Sequence, residues 1–359
     1  MAEEAKRRRR SGNAPTISDV ARKAGVSPMT VSRVINGESH VREVTRSRVR
    51  DAIRALGYAP NPAARSLAGA SQVHIAMLYA NPSAYIAEFL FGGLEQARRQ
   101  NCQFIVEKCV DGPDIAAEIR RIVSGGVDGI LLAPPLADSE RLIDLLEAED
   151  IPSVLVTSSR VRDNVSAVSI DDYRAARQMT EHLMSLGHRR IGFLKGHPNQ
   201  AASERRLAGF RDALAAGRLS CPDELIAQGL FTYRSGLDAA EQLLSLDERP
   251  TAVFASNDDM AAATVAVAHR HHLDVPGDLT VCGFDDTPLA TTIWPELTTI
   301  HQPIAKLSRA AADLLIRKIR ARRAGKVQQS KHLVLDYTLV RRHSDAPPRV
   351  RPRVRAETR

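Results

Sequence analysis

Near the start of the chain, apolar residues recur at the spacing of a helix. The residues at i, i+3, i+4 and i+7 are Ile17, Val20, Ala21 and Ala24. This pattern predicts a short helix with one apolar face. Thr16 precedes it and Asp19 follows three residues later, a pair typical of a capped helix start, and Gly25 suits a left-handed end.

A second helix is predicted directly after the first. Ser27 is expected to cap it and Pro28 to be its first residue. Its buried face is expected to comprise Val31, Val34 and Ile35. A third helix over residues 45–56, ending at Gly57, would close a small three-helix core.

The spacing within the first two helices indicates a function. Ala21, Gly25 and Val31 are separated by 4 and 6 residues, which is typical of a DNA-binding helix-turn-helix. The alternative is an amphipathic helical hairpin with no role in DNA binding. Arg33 is the natural candidate for a bidentate contact to guanine. The predicted DNA contacts of this head are Thr16, Ser27, Pro28, Met29, Thr30, Ser32, Arg33, Asn36 and His40.

From residue 73 onward, apolar strand-like segments alternate with helical ones. The segments are 73–79, 103–107, 129–132 and 153–156, and then 190–194, 227–231, 252–256 and 280–284. Two such sets predict two lobes, each a parallel sheet covered by helices. Ligands of such sheets bind beyond the carboxyl ends of the strands. Polar and aromatic residues lie there, at 81–85, 257–259 and 285–286.

Several motifs resemble the lactose-repressor (LacI/GalR) family. In and after the head they are TISDVARKAGVSPMTVSRVING and LGYAPNPAARSLAG, and in the core LGHRRIGFL, RRLAGFRDAL, AVFASNDDMA and GFDDTPLATTIWPELTTIHQP. The resemblance covers about residues 16–339. Residues 61–69 also read as a short helix with an Asn cap and a Gly stop. The resemblance implies that this is a hinge helix lying in the minor groove, with Leu67 inserted between base steps and Ala64 and Arg65 contacting DNA.

The same resemblance implies an effector site between the lobes. Its expected residues are Ser83, Ala84, Tyr85, Arg206, Phe231, Asn257, Asp285 and Gln302. Such residues suit a polyol, because carboxylate, amide and guanidinium groups bind hydroxyls and an aromatic ring packs on a sugar face. Asp258 and Asp286 are instead expected to cap a helix or form a salt bridge. Thr157 stands where many sugar-binding members carry an aspartate, which leaves the identity of the sugar open.

These observations predict a fold class and a domain order. An all-α helix-turn-helix head with a hinge helix precedes a two-lobed α/β core like that of periplasmic binding proteins. The expected boundaries are a basic tail at 1–14, the head at 15–57, the hinge at 58–72, the core at 73–343 and an Arg/Pro-rich tail at 344–359. Lobe 1 is expected over about 73–170 and 301–330, and lobe 2 over about 171–298. The last segment has no leucine heptads, which favours a homodimer over four chains.

Charge and composition agree with a DNA-binding protein. The net charge is +8, and residues 1–70 hold 14 Lys and Arg against 6 Asp and Glu, so a polyanion would engage that end. No apolar run approaches the ~18 residues of a membrane span, and a secretory signal is not recognisable. We therefore expect a cytoplasmic protein with no membrane partner. The four scattered cysteines are expected to be reduced packing residues.

Two other classes of protein are weighed against this interpretation. A transport-type sugar-binding protein shares the two-lobed core but would need a signal sequence and no DNA head. An enzyme is not expected, because no G-x-S-x-G, P-loop or H-E-x-x-H motif occurs. His269, His271 and His272 are expected on the surface, so neither a metal nor a cofactor is predicted.

The expected function is that of a transcriptional repressor. A homodimer would read a near-palindromic double-stranded operator, and a small-molecule effector, a mono- or disaccharide, would release it. Regulation by a non-sugar ligand that is needed for DNA binding remains the alternative within the same family.

Overall fold

The computed structural model describes residues 15–35, 41–58, 72–156 and 162–349. The chain forms two compact units, with the boundary between Gln72 and Val73. The first unit is all helical, whereas the second contains the β-strands that the structure describes.

Three helices make up the first unit. They are α1 (Ile17–Ala24), α2 (Pro28–Ile35) and α3 (Glu43–Leu56). Thr16 and Asp19 form the predicted capping box on α1, and Gly25 ends that helix with φ at +65°. The helices enclose a small apolar core comprising Val20, Ala21, Ala24, Val31, Val34, Val49 and Ala52. The third helix begins at Glu43, two residues before the predicted start.

The second unit alternates strands and helices. Its strands are β1 (His74–Tyr79), β2 (Gln103–Lys108), β3 (Gly129–Leu132), β4 (Ser153–Val156), β5 (Ser166–Ser169), β6 (Ile191–Lys195), β7 (Ile226–Gln228), β8 (Ala252–Ala255), β9 (Thr280–Cys282), β10 (Thr299–His301), β11 (His332–Val334) and β12 (Thr338–Val340). Its α-helices are α4 (Ala84–Arg99), α5 (Ile115–Ser124), α6 (Glu140–Ala148), α7 (Asp172–Ser185), α8 (Ala201–Ala216), α9 (Tyr233–Leu244), α10 (Asp258–Arg270), α11 (Leu289–Thr292) and α12 (Ile304–Arg323). Short 3₁₀ turns lie at Leu136–Asp138 and Asp223–Leu225.

Two parallel sheets form the two lobes. Lobe 1 has the strand order β11-β5-β4-β3-β1-β2, and lobe 2 has the order β7-β6-β8-β9. Strands β2-β1-β3-β4 and β7-β6-β8-β9 therefore repeat one topology. In the register of lobe 1, Ile75 pairs with Phe104 and Gly129, and in lobe 2, Phe193 pairs with Ile226 and Phe254. Strands β3, β4 and β8 are buried at every residue, as expected where helices cover both faces of a sheet.

The chain passes between the lobes three times. It enters lobe 2 after β5, returns to lobe 1 with α12, and enters lobe 2 again after β11, where β12 pairs antiparallel with β10. Lobe 1 therefore extends to β11, slightly beyond the predicted limit near residue 330. Lobe 2 also includes a C-terminal segment that the sequence had not assigned to it.

Residues 344–349 belong to the core and not to the predicted tail at 344–359. Ser344 is fully buried, accepts a hydrogen bond from Thr298 N–H at 2.8 Å and receives Val281 N–H on its carbonyl at 2.9 Å. Strand β9 is the edge of its sheet, and an edge strand needs partners for its peptide groups. The C-terminal segment supplies them, so the chain is ordered there despite its polar composition.

One predicted strand differs in position. The segment predicted at 227–231 is strand only over Ile226–Gln228. The chain turns at Gly229, and Phe231 has a positive φ of 60°, which a strand residue does not adopt.

Candidate effector cavity and DNA-reading helix

A cavity of about 200 Å³ lies at the carboxyl ends of the strands of both lobes. Lobe 1 supplies the residues that follow β1 and β3, and lobe 2 those that follow β6, β7, β8 and β9. The lining residues are Asn81, Pro82, Ser83, Tyr85, Ile86, Pro134, Pro135, Gln200, Ala202, Arg206, Leu230, Phe231, Thr232, Tyr233, Asn257, Asp259, Asp285 and Gln302. This is the place where open α/β sheets bind ligands.

Arg206 on α8 is the central cation of the cavity wall. Its Nε donates to Asp172 Oδ1 at 2.8 Å, and its Nη1 donates to the carbonyl of Ser256 at 2.5 Å. The guanidinium also lies 3.6 Å from the centre of the Phe284 ring. Arg206 is only 4% exposed, so its partners fix the position of its charge before any ligand arrives.

Asp285 lies beside Arg206 on the turn after β9. Its Oδ1 accepts from Gln302 Nε2 at 2.6 Å and lies 3.8 Å from Arg206 Nη1. Burial raises the pKa of the Asp285 carboxyl well above its usual range, and the Arg206 guanidinium opposes this rise only in part. The residue has φ at +116°, a strained conformation of the kind that occurs at ligand sites.

Phe231 and Asn257 build the wall next to Arg206. The Phe231 ring packs on Gly196, where any Cβ would overlap the ring. Asn257 Oδ1 accepts from Met260 N–H at 3.0 Å and caps α10, while its Nδ2 donates to the Phe231 carbonyl at 3.1 Å. Asn257 therefore contributes to the cavity wall partly by holding Phe231 in place.

Two neighbouring aspartates have structural roles. Asp258 accepts hydrogen bonds from Thr287 N–H at 2.8 Å and from the Thr299 hydroxyl at 2.7 Å. Asp286 forms ion pairs with Arg342 at 2.6 Å and His301 at 3.0 Å. Neither lines the cavity. Asp286 forms salt bridges as predicted, whereas Asp258 binds two threonines in place of the predicted helix cap or salt bridge.

In the head, α2 presents a polar face to the surface. Met29 is 63% exposed, and Ser27, Pro28 and Arg33 are also exposed. The Ser27 hydroxyl accepts from Thr30 N–H at 3.2 Å and caps the helix. The exposed end of α2 can therefore enter a DNA groove while Val31 and Val34 hold the helix in the core.

Comparison with known proteins identifies this architecture. The model of the bacterial regulatory proteins, lacI family, matches residues 16–61, and the model of the periplasmic binding protein-like domain matches residues 180–344. Catabolite control protein A of Priestia megaterium is 34% identical over 303 residues, which are 84% of this chain and 91% of that protein. The chain belongs to the LacI family. It is a DNA-binding transcriptional regulator.

Other LacI-family proteins are similar over most of their length. The HTH-type transcriptional repressor PurR of Vibrio cholerae is 34% identical over 311 residues, 85% of this chain and 91% of that protein. A structure of the transcriptional regulator CelR with cellobiose shares 32% identity and a TM-score of 0.70, covering 92% of this chain and 99% of CelR. A lac repressor dimer bound to operator and the anti-inducer ONPF shares 27% identity and a TM-score of 0.74, covering 93% of this chain and 100% of that one.

The structure of this LacI-family regulator brings most of the predicted effector residues together. Seven of the eight line the cavity: Ser83, Tyr85, Arg206, Phe231, Asn257, Asp285 and Gln302. Ala84 does not. It is the first residue of α4, and because successive helix residues point about 100° apart, its neighbours Ser83 and Tyr85 reach the cavity instead.

Some predicted residues lie outside the described part of the chain. These are Asn36, His40, Ala64, Arg65 and Leu67, together with Thr157. The predicted hinge helix lies there as well. The predicted DNA contacts within the described residues are Thr16, Ser27, Pro28, Met29, Thr30, Ser32 and Arg33. Of these, Thr16 also uses its hydroxyl in the α1 cap, where it donates to Asp19 at 2.7 Å.

The prediction of site residues missed several members of the cavity wall. They are Asn81, Pro82, Ile86, Pro134, Pro135, Gln200, Ala202, Leu230, Thr232, Tyr233 and Asp259. Asn81, Pro82 and Asp259 lay in the strand-end segments that the sequence marked. Pro134 and Pro135 follow β3, and the same rule applied to that strand would have found them.

Within the described ranges, no group of three His, Cys, Asp or Glu side chains could hold a metal ion. In the same part of the chain, every helix is too short or too polar to cross a membrane.

Proposed function

We propose that this regulator is a homodimeric repressor whose effector is a neutral sugar that binds between the lobes. The observation that carries the proposal is that the guanidinium of Arg206 is already paired with acidic side chains of the protein. Its guanidinium already contacts the carboxylates of Asp172 and Asp285, and a third carboxylate, Asp259, lines the same cavity. Arg206 is the one cation among the lining residues, and its Nε and Nη1 donors are already engaged, so the cavity is poorly suited to a phosphate or carboxylate ligand.

Gln302 supports a ligand rich in hydroxyls. Its Nε2 is bound to Asp285, while its Oε1 is buried and has no hydrogen-bond partner among the described residues. A buried acceptor without a donor is costly, and a sugar hydroxyl would supply that donor. The Phe231 and Tyr233 rings offer apolar surface to a sugar face.

The size of the cavity limits the ligand. Its volume of about 200 Å³ is below the roughly 300–1,000 Å³ of pockets for drug-sized molecules. Of the predicted mono- and disaccharides, this volume favours the smaller. The solved CelR complex contains a disaccharide, cellobiose, so both sizes belong in the test.

A thermal-shift panel tests the ligand class. Neutral mono- and disaccharides, their phosphate esters and purine bases are added to the full chain, and the melting temperature is measured. A neutral sugar is expected to stabilise the folded core by about 2.7 kcal/mol at 100 times its Kd. The proposal fails if phosphate esters or purines stabilise the protein and the neutral sugars do not.

DNA binding tests the direction of regulation. Duplexes selected from a randomised pool are titrated in gel shifts with and without the stabilising sugar, which we expect to weaken binding by about 5- to 150-fold. Leu67→Ala is expected to weaken operator binding and leave sugar affinity unchanged, because a wedge residue acts only on DNA. Tighter binding with sugar would contradict the proposed release, and unchanged operator affinity of Leu67→Ala would contradict the wedge.

Exposed apolar side chains support the homodimer. On α4, Phe91 is 69% exposed and Leu94 41%, and Trp294 in lobe 2 is 75% exposed. Exposed apolar patches mark interaction surfaces, and the similar lac repressor is a dimer. A second copy of this chain is the occupant we propose.

Light scattering on Phe91→Glu tests this interface. The variant is expected to be monomeric, because a buried unpaired carboxylate is costly. Val327→Glu is the matched control, since Val327 is 99% exposed on the loop after α12, and it should stay dimeric. A dimeric Phe91→Glu would remove α4 from the interface.

A further inference from the structure

A single side chain of lobe 1 caps a helix of lobe 2. Asp138 is the last residue of the 3₁₀ turn after β3, and it is only 6% exposed. Its Oδ2 accepts a hydrogen bond from the N–H of Ala201 at 3.2 Å. Ala201 is the first residue of α8.

Helix α8 receives no side-chain cap from the residue that precedes it, as is also the case for α5, α11 and α12. Gln200 occupies its N-cap position but makes no side-chain hydrogen bond to the helix. By contrast, α4, α6, α7, α9 and α10 are capped by the residue that directly precedes each of them: Ser83, Ser139, Asp171, Thr232 and Asn257. The first N–H groups of a helix need acceptors and favour a carboxylate. For α8, that carboxylate comes from the opposite lobe.

This contact lies at the edge of the effector cavity. Pro134 and Pro135, just before the 3₁₀ turn, line the cavity from lobe 1. Gln200 and Ala202, on either side of Ala201, line it from lobe 2. The same helix carries Arg206, so the orientation of α8 relative to lobe 1 determines the shape of the cavity.

We propose that Asp138 is a positioning residue that holds the two lobes in the orientation seen here. The proposal rests on the proposed function, because it describes how the effector site is regulated. The hydrogen bond from the Ala201 N–H to Asp138 links α8 to lobe 1. A ligand that fills the cavity adds contacts that stabilise the same relative orientation of the lobes. Without this cap, the lobes adopt a wider range of orientations, and part of the ligand's binding energy must restore the one that fits.

Distances between the lobes test the proposal without any effector. Spin labels are attached at Arg121→Cys in lobe 1 and Arg234→Cys in lobe 2, whose native side chains are 61% and 84% exposed. Cys221→Ser removes the cysteine that is not buried among the native four. Labelled chains are diluted with unlabelled chains, and electron–electron distances are measured by pulsed resonance. Asp138→Ala is expected to broaden the distance distribution.

Ser139→Ala is the matched control. Ser139 is the next residue and caps α6 within lobe 1, accepting from Leu142 N–H at 3.2 Å. Its loss removes a helix cap without touching lobe 2, so the distance distribution should match that of the parent chain. The proposal is overturned if Asp138→Ala also matches the parent, or if Ser139→Ala broadens the distribution equally.

Hydrogen exchange of the Ala201 amide gives an independent measurement. Asp138→Ala is expected to speed exchange about tenfold, as for the loss of a hydrogen bond to a charged acceptor. Asp138→Asn keeps an acceptor oxygen and should restore part of the protection; no rescue would contradict the assigned hydrogen bond. If Asp138→Ala fails to fold, hydrogen exchange in the parent chain still tests the proposal, because an unprotected Ala201 amide there would overturn it.

Discussion

The head and the core of this regulator bury different kinds of residue. The buried residues of the head are small and apolar, such as Val20 and Val31, and none of its described charged residues is fully buried. The core buries Asp172, Arg206, Asp258 and Asp285, each 5% exposed or less. In the head, the side chains that stabilise the fold and those proposed to contact DNA therefore lie on opposite faces of α2. In the core, Arg206 and Asp285 are buried and also line the candidate cavity, so they are proposed to serve both purposes.

This difference has consequences for substitution. A surface residue of the head can be changed with little effect on folding. In the core, removing one charge leaves its partners buried without compensation. Variants can therefore separate DNA recognition from stability more cleanly than they can separate effector binding from stability.

The largest effect is expected for Asp285→Asn in the core. It removes the carboxylate that faces the cavity, and sugar affinity should fall on the order of 100-fold, in line with the loss of hydrogen bonds to a charged group. Asn also tolerates the positive φ of this position. The thermal shift with the sugar should disappear, while gel shifts should show unchanged operator affinity.

Asp286→Asn is the control for this variant. Asp286 is the adjacent residue but pairs with Arg342 and His301 away from the cavity. Its thermal shift should equal that of the parent chain. A full sugar response in Asp285→Asn would show that the effector site has been assigned wrongly.

A smaller effect is expected for Arg33→Ala in the head. Loss of a bidentate guanine contact costs about 1–3 kcal/mol, or roughly 5- to 150-fold in operator affinity. Because Arg33 is exposed on α2, the free energy of unfolding in urea should stay within about 0.5 kcal/mol.

Arg22→Ala on α1 is the matched variant. Its side chain is 77% exposed and pairs only locally with Asp19. If it weakens the selected operator as much as Arg33→Ala, or if Arg33→Ala weakens all duplexes equally, Arg33 makes a phosphate contact and not a base contact.

The smallest effect is expected from the titration of Asp258. Burial raises the pKa of this carboxyl from 3.8 to about 7, although hydrogen bonds from Thr299 and Thr287 oppose the rise. The folded state thus holds the proton more tightly than the unfolded state, so this contribution to stability is full below about pH 4 and is lost as the pH rises towards 7. In Asp258→Asn the side chain does not titrate, so this pH-dependent contribution to stability is absent.

Urea unfolding at pH 4.5 and pH 8 checks this effect. Between pH 4.5 and pH 8, the unfolding free energy of the parent chain should fall relative to that of Asp258→Asn by at least about 1 kcal/mol. A difference that is the same at both pH values would contradict the raised pKa.

The sequence predicted the head more completely than the core. In the head, helix caps and breakers lie next to the elements they bound, as Thr16, Gly25 and Ser27 do. In the core, β1, β3 and β4 were found because each contains at least three consecutive apolar residues. Strands β5, β10, β11 and β12 were missed, since none of them contains more than two consecutive apolar residues. Distant pairing stabilises them, such as that of His332 with Ala167.

The candidate site shows the same limit. Asp285, Arg206 and Gln302 were predicted from family motifs, and the structure places them within one cavity. The link from Asp138 to Ala201 joins residues 63 positions apart, and no local pattern in the sequence marks it. Contacts between lobes depend on how two folded bodies meet, which periodicity and capping signals do not encode.

The C-terminal segment at 344–349 has a consequence for protein synthesis. The head is one contiguous stretch, so its helices can form soon after they leave the ribosome. The sheet of lobe 1 cannot be completed until β11 has been synthesised, and the edge of lobe 2 cannot be completed until Ser344 and Asp345 have been synthesised. A nascent chain therefore has a folded helix-turn-helix head long before the effector-binding core is complete.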